Sequence, residues 1–135
     1  MNEAVPTVDE YMAVDVISFR SSTDIQTALR VLVEHGISGA PVTGRDEHLV
    51  GMLTEKDCLK LVYSAVYHQD WGGTIEDYMN PGVEVMESGT SIIIAADRFM
   101  HCDFRRFPVV QNDRMIGLIC RSDILRAISV LWMPD

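Results

Sequence analysis

The chain writes one pattern twice. Gly51–Lys60 reads GMLTEKDCLK and Gly117–Arg126 reads GLICRSDILR, with Gly, two apolar residues, Asp and a basic residue in matching places. Laying Val8 over Ile75, an offset of 67, puts VDEYM (8–12) on IEDYM (75–79), Ala28 on Ala95 and Pro41-Val42 on Pro108-Val109. One residue is lost in the loop TGRDEH against VQNDR, and the register resumes at 66 with Gly51 on Gly117 and Asp57 on Asp123. Such a register makes the chain two copies of one unit, residues 8–67 and 75–132, joined at 68–74, where the only Gly pair lies. A unit this small buries little core by itself, so the two are expected to pack as one module.

Periodicity gives each copy the order strand, helix, strand, strand, helix. An extended piece opens each (DVISF, GVEVM). Ile25, Ala28, Leu29, Leu32 and Val33 then form a helical apolar stripe closed by Gly36, repeated as Ile92, Ala95, Ala96, Phe99 and Met100. Two apolar runs joined by a polar turn (ISGAPV to LVGML, FRRFPVV to MIGLIC) read as a hairpin. The closing helices carry Cys58, Leu59, Leu61 and Val62, and Ile124, Leu125, Ile128 and Leu131. The expected class is α+β.

Charge and composition narrow the function classes. A formal net charge of −9 opposes nucleic-acid binding, because phosphate backbones require a basic face. No apolar stretch approaches the roughly 18 residues of a membrane helix, and the N-terminus MNEAVPTVDEYM lacks the basic and apolar regions of a secretory signal. Cys58, Cys102 and Cys120 form no CxxC and leave one unpaired, which suits the cytosol. An anionic ligand would need a local basic cluster against the global field.

The stencil has two chemical readings. Thr54-x-x-Asp57 before an apolar helix fits a capping box. In the second copy Cys120 replaces the hydroxyl with a thiol, a poor acceptor, while Asp123 keeps its place. The second reading is ribose recognition: a carboxylate at a helix start can accept from vicinal hydroxyls, and the helix N-terminus favours nearby phosphate. A basic cluster does exist. Arg105-Arg106 precedes Phe107-Pro108-Val109, and Arg121 follows the next strand, whereas Ser38 and Gly39 occupy the equivalent places in copy one. Alternatively, these arginines are a solvated pair beside Asp103.

These residues together resemble tandem CBS domains, a Bateman module, over about 8–132. The resemblance rests on GMLTEKD and GLICRSD, each preceded by an apolar Pro-Val strand. It implies two βαββα repeats in a pseudo-two-fold pair, homodimerisation as a disc, no catalysis, and regulation of a partner protein that the sequence does not name. It further implies clefts for adenosine-type ligands (AMP, ADP, ATP or S-adenosylmethionine), each built from both repeats. Carried over, Thr54 and Asp57 share a main cleft with Val83, Glu84, Val85, Arg105, Arg106, Phe107 and Pro108. Cys120 and Asp123 share the second with Val16, Ser18, Ser38, Gly39 and Ala40. That second cleft lacks the Ser/Thr and the charge, so it is either empty or takes a less charged adenosyl compound. Glu84 opposes phosphate in the main cleft unless strand alternation turns it outward. The competing class is a ligand-free dimerisation or interaction module whose stencil serves only as a cap.

Other features carry less. His101-Cys102 suggests no metal site, since adjacent side chains diverge on a helix, and His35, His48 and His68 are expected at the surface. No GxSxG, P-loop or Ser/His/Asp order nominates an enzyme. Trp71, Trp132 and the run ILRAISVLW (124–132) are candidates for a module or dimer interface.

Overall fold

The computed structural model describes residues 5–132. The first set of elements is β1 (Phe19–Arg20), α1 (Ile25–His35), β2 (Gly39–Thr43), β3 (Leu49–Thr54) and α2 (Glu55–His68). The second is β4 (Met86–Glu87), α3 (Ile92–Met100), β5 (Arg106–Gln111), β6 (Arg114–Cys120) and α4 (Arg121–Trp132). Short 3-10 turns at Val8–Glu10 and Ile75–Asp77 open the two repeats. The class is α+β, with mixed sheets ordered β1-β2-β3 and β4-β5-β6. In each sheet the short first strand runs parallel to the middle one, Phe19 level with Val42 and Met86 with Val109. The other two strands form an antiparallel hairpin, and both hairpins shift register at the same repeat position, after Val42 and after Val109. The irregularity is thus part of the repeated unit.

The opening strands are shorter than DVISF and GVEVM suggest. Only their last residues join a ladder, and residues 16–18 and 83–85 approach it without strand pairing.

Local chemistry explains where the helices start and stop. The Asp24 carboxylate accepts the Thr27 N–H at 3.1 Å to open α1, and Gly36, at φ 62°, closes it in the left-handed conformation that glycine adopts without strain. The Ser91 hydroxyl accepts the Ile94 N–H at 3.1 Å to open α3. Helix α1 buries Ile25, Ala28 and Leu32, and α3 buries Ile92, Ala95 and Phe99. Part of each anticipated stripe lies outside the core: Val33 is 71% exposed and Met100 79%. In α2 the buried row is Cys58, Leu61 and Ala65, while Leu59 and Val62 are exposed, as is Leu125 in α4. These helices are apolar over more of their circumference than packing uses.

The chain packs as two compact units: Ile17–Val83, here the first unit, and the chain up to Val16 together with Glu84 onward, the second. Each unit takes its leading turn from the other sequence repeat. In the first unit Ile75 and Tyr78 join the core of Ile25, Leu32, Val42 and Leu53. The Ile75 N–H donates to Thr23 O at 2.9 Å, and Met52 and Asn80 exchange backbone bonds at 2.9 Å. In the second unit Val8 joins Met86, Ile92, Phe107 and Ile119. There the Val8 N–H donates to Thr90 O at 2.9 Å, and Ala13 and Leu118 exchange bonds at 3.0 and 2.9 Å. This arrangement explains the stencil glycines. A Cβ on Gly51 would lie 2.7 Å from Met79 Sδ and 2.9 Å from Asn80 O; one on Gly117 would strike Met12 and lie 2.9 Å from Ala13 O. The glycine is needed where the leading turn crosses the strand.

Candidate functional site: two strand-to-helix junctions

In the first unit β3 runs directly into α2, and Thr54 is the N-cap. Its N–H and hydroxyl donate to Asp57 Oδ2 at 2.9 and 3.0 Å, while its oxygen accepts the Asp57 N–H at 3.3 Å. The capping box is therefore complete. The Asp57 side chain is only 14% exposed, and its Oδ1 lies 3.7 Å from the Nζ of a largely exposed Lys60, an extended ion pair. One carboxylate oxygen is committed to the backbone and the other has acceptor capacity to spare. The helix N-terminus is partly used internally: the Glu55 N–H donates to Ser38 O at 2.9 Å. That tempers the anion affinity expected of a bare helix end.

The second unit repeats the junction with altered chemistry. Asp123 Oδ2 accepts the Cys120 N–H at 2.8 Å, so the carboxylate half of the box survives without the hydroxyl. Its retention is thus accounted for by capping and requires no other partner. Asp123 Oδ1 accepts from Arg126 Nη2 at 2.9 Å, and the same nitrogen donates to Tyr11 O at 2.9 Å. Asp123 is held more tightly by its cation than Asp57 is. The Arg121 N–H donates to Arg105 O at 3.1 Å, matching Glu55 and Ser38.

Strand pairing links the two differences between the repeats. Gly39 pairs with Thr54, and Arg106 pairs with Cys120. A Cβ on Gly39 would meet Leu53 O at 3.0 Å and Thr54 Cγ2 at 3.3 Å, so the branched threonine and a side chain at position 39 compete for space. Cysteine has no branch, and Arg106 occupies the corresponding position. Burial raises the Cys120 thiol pKa, the Asp123 charge adds to this, and the nearby Arg106 guanidinium opposes it. Burial, reinforced by Asp57 and Glu55, likewise raises Cys58. All three cysteines are free thiols.

The remaining candidates fall into place by unit. Ser38 is exposed, Gly39 and Ala40 are buried, and Ser18 and Val83 are half-buried, all in the first unit. In the second unit Arg105 is exposed, Arg106, Val85 and Val16 are half-buried, and Phe107 and Pro108 are buried. Thr54 and Asp57 thus belong to one unit, and Arg105 and Arg106 to the other. Val83 and Val85, half-buried and outside any strand, flank an exposed Glu84, whose carboxylate lies 3.6 Å from Arg98 Nη2. Arg98 was not a candidate from the sequence. A readable signal existed: Val31 stands at its place in copy one, and Ala40 stands where copy two has Phe107. His35, His48 and His68 are exposed. Among the described residues no three of His, Cys, Asp and Glu gather as metal ligands, and no helix is long and apolar enough to cross a membrane. Trp71 is 60% exposed; the Trp132 side chain lies outside the described residues.

The CBS domain model matches residues 8–64 and again 75–130. The chain belongs to the CBS domain family. It is 30% identical, across 91% of its length, to the chloroplastic CBS domain-containing protein CBSX1 of Arabidopsis thaliana, and 27% identical, across 93%, to MJ1225 of Methanocaldococcus jannaschii. It spans 64% and 44% of those two relatives respectively. Among solved structures, the CBS-pair protein CBSX2 from Arabidopsis thaliana superposes with a TM-score of 0.81 at 28% identity, covering 98% of this chain and all of that one. CBSX2 in complex with AMP gives 0.78 at 28% identity, over 93% and 97% of the two chains.

Proposed function

We propose that this CBS pair is a regulatory sensor binding an adenosine-type ligand and passing that signal to a partner protein. In this reading Asp57 takes the ribose hydroxyls, beside Thr54, and Arg105 and Arg106 take phosphate. Val83, Val85, Phe107 and Pro108 line the adenosyl group. The observation carrying the reading is the state of Asp57: largely buried, fixed through Oδ2, with only an extended lysine contact at Oδ1. Similarity to CBSX2, whose structure was solved with AMP, supports it. Val16, Ser18, Ser38, Gly39, Ala40, Cys120 and Asp123 form the weaker second site, where Arg126 already occupies the carboxylate.

The test is isothermal titration against AMP, ADP, ATP and S-adenosylmethionine, on protein freed of carried-over ligand. Binding to at least one is expected; no heat with any would overturn the reading. The complete capping box favours a second reading, a ligand-free interaction module, which predicts a melting temperature indifferent to millimolar nucleotide.

A homodimer belongs to either reading. Its support is the outer face of α2, where Leu59, Val62, Tyr63, Val66 and Tyr67 recur at helical spacing and are each 55–69% exposed. Such a row is self-complementary across a two-fold axis. A cytosolic setting fits the three free thiols.

A further inference from the structure

Arg98 makes three contacts, all within the second unit, that tie α3 to the residues leading into β4 and to β5. Its Nη1 donates to Val85 O at 2.5 Å, its Nη2 lies 3.6 Å from Glu84 Oε1, and its guanidinium carbon sits 4.3 Å from the centre of the Phe107 ring. Phe107 follows Arg105 and Arg106 directly, and Val85 lies in the stretch that reaches β4 without strand hydrogen bonds. The arginine supplies what that stretch lacks: a fixed donor for its carbonyl and a countercharge for its acid. A planar guanidinium can meet a carbonyl, a carboxylate and a ring face together, which an ammonium cannot. Copy one has no counterpart, because Val31 and Ala40 occupy the matching places.

We propose that Arg98 is a positioning residue that sets the preference of the adenosyl site for anionic ligands; this rests on the adenosine-ligand reading above. It fixes Val85, a lining residue, and it engages Glu84, the acid that directly precedes Val85. Without it, the Glu84 carboxylate, one residue from Val85, stands uncompensated and repels phosphate. A merely structural Arg98, holding α3 on the sheet, would affect neutral and charged ligands alike.

The experiment titrates AMP and adenosine into wild type, Arg98→Gln, Arg98→Lys and the double variant Arg98→Gln/Glu84→Gln, with circular dichroism confirming the fold. Arg98→Gln is expected to weaken AMP by about tenfold and adenosine by about threefold, given the strength of a nearby partly screened charge. The double variant recovers the AMP-specific part of the loss and leaves the adenosine loss. Arg98→Lys, which keeps the charge, preserves the AMP-to-adenosine ratio while sharing the adenosine loss. Equal losses for both ligands, or none, in a wild type that binds both would overturn the role of Arg98 alone. A wild type that binds neither overturns the adenosine-ligand reading and this inference with it.

Discussion

Arg106 stands opposite Cys120 across the β5–β6 hairpin, at the ladder position where β2 and β3 pair Gly39 with Thr54. The cysteine in the second stencil and the arginine before the second Pro-Val are therefore one substitution shared between facing residues. Where the branched threonine caps the helix, its neighbour is glycine. Where the neighbour is a long cation, the cap residue is unbranched.

Gly39→Ala tests that relationship. The new methyl would meet Leu53 O and Thr54 Cγ2, and the expected cost is about 1–3 kcal/mol, typical of overpacking. Adding Thr54→Ser removes the γ-methyl and should restore part of the loss. Urea denaturation of the single and double variants measures both; a double variant no more stable than Gly39→Ala would contradict the steric account.

The two caps should contribute unequally. Thr54→Ala removes the hydroxyl that accepts the Asp57 N–H, at a cost of about 1 kcal/mol by the usual worth of an N-cap. Cys120→Ala leaves the cap bond in place, because Asp123 accepts from the backbone N–H of residue 120. Thermal melts should show a clear fall for the first variant and a much smaller one for the second.

Asp9 predicts a pH dependence. Burial acts to raise its pKa, but hydrogen bonds from the Ser88 hydroxyl and the Gly89 N–H, at 2.5 and 2.7 Å, outweigh it and hold the carboxyl below its ordinary value. A depressed folded-state pKa gives stability that is present above the unfolded value and lost as pH falls through the folded one. Wild type should thus lose stability on acidification below about pH 4, the ordinary aspartate range. Asp9→Asn should flatten that part of the stability-against-pH curve, and an unchanged slope would show that Asp9 contributes nothing to it.

Tyr63→Asp places a charge in the middle of the exposed α2 row. It is expected to shift the chain from dimer toward monomer in sedimentation velocity at matched concentrations while leaving the melting temperature of the monomer little altered. A wild type that sediments as a monomer would remove the α2 face from the account.

Much of this architecture was legible because repetition supplies an internal comparison. Offset 67 aligns the helices and the Pro-Val strands, and the spacing of Thr54 and Asp57 announces the capping box. Three things were not legible. The leading turns VDEYM and IEDYM pack into the other repeat's body, and no periodicity distinguishes that from packing at home. Helix α2 offers two adjacent apolar rows, and spacing alone does not say that Cys58, Leu61 and Ala65 are the buried one. Arg98 looks like a surface residue in sequence, since its cation–π contact depends on a phenylalanine carried by another element.

We propose that Asp57, and not its repeat counterpart, is the ribose carboxylate of the principal site. AMP titrated into Asp57→Ala and Asp123→Ala, each verified as folded, tests it most directly. Asp57→Ala should lose affinity by at least about tenfold, the scale of a lost charge-assisted hydrogen bond. Asp123→Ala, whose carboxylate is already engaged by Arg126, should stay close to wild type. The reverse ordering would contradict the account and assign the ligand to the Cys120 junction.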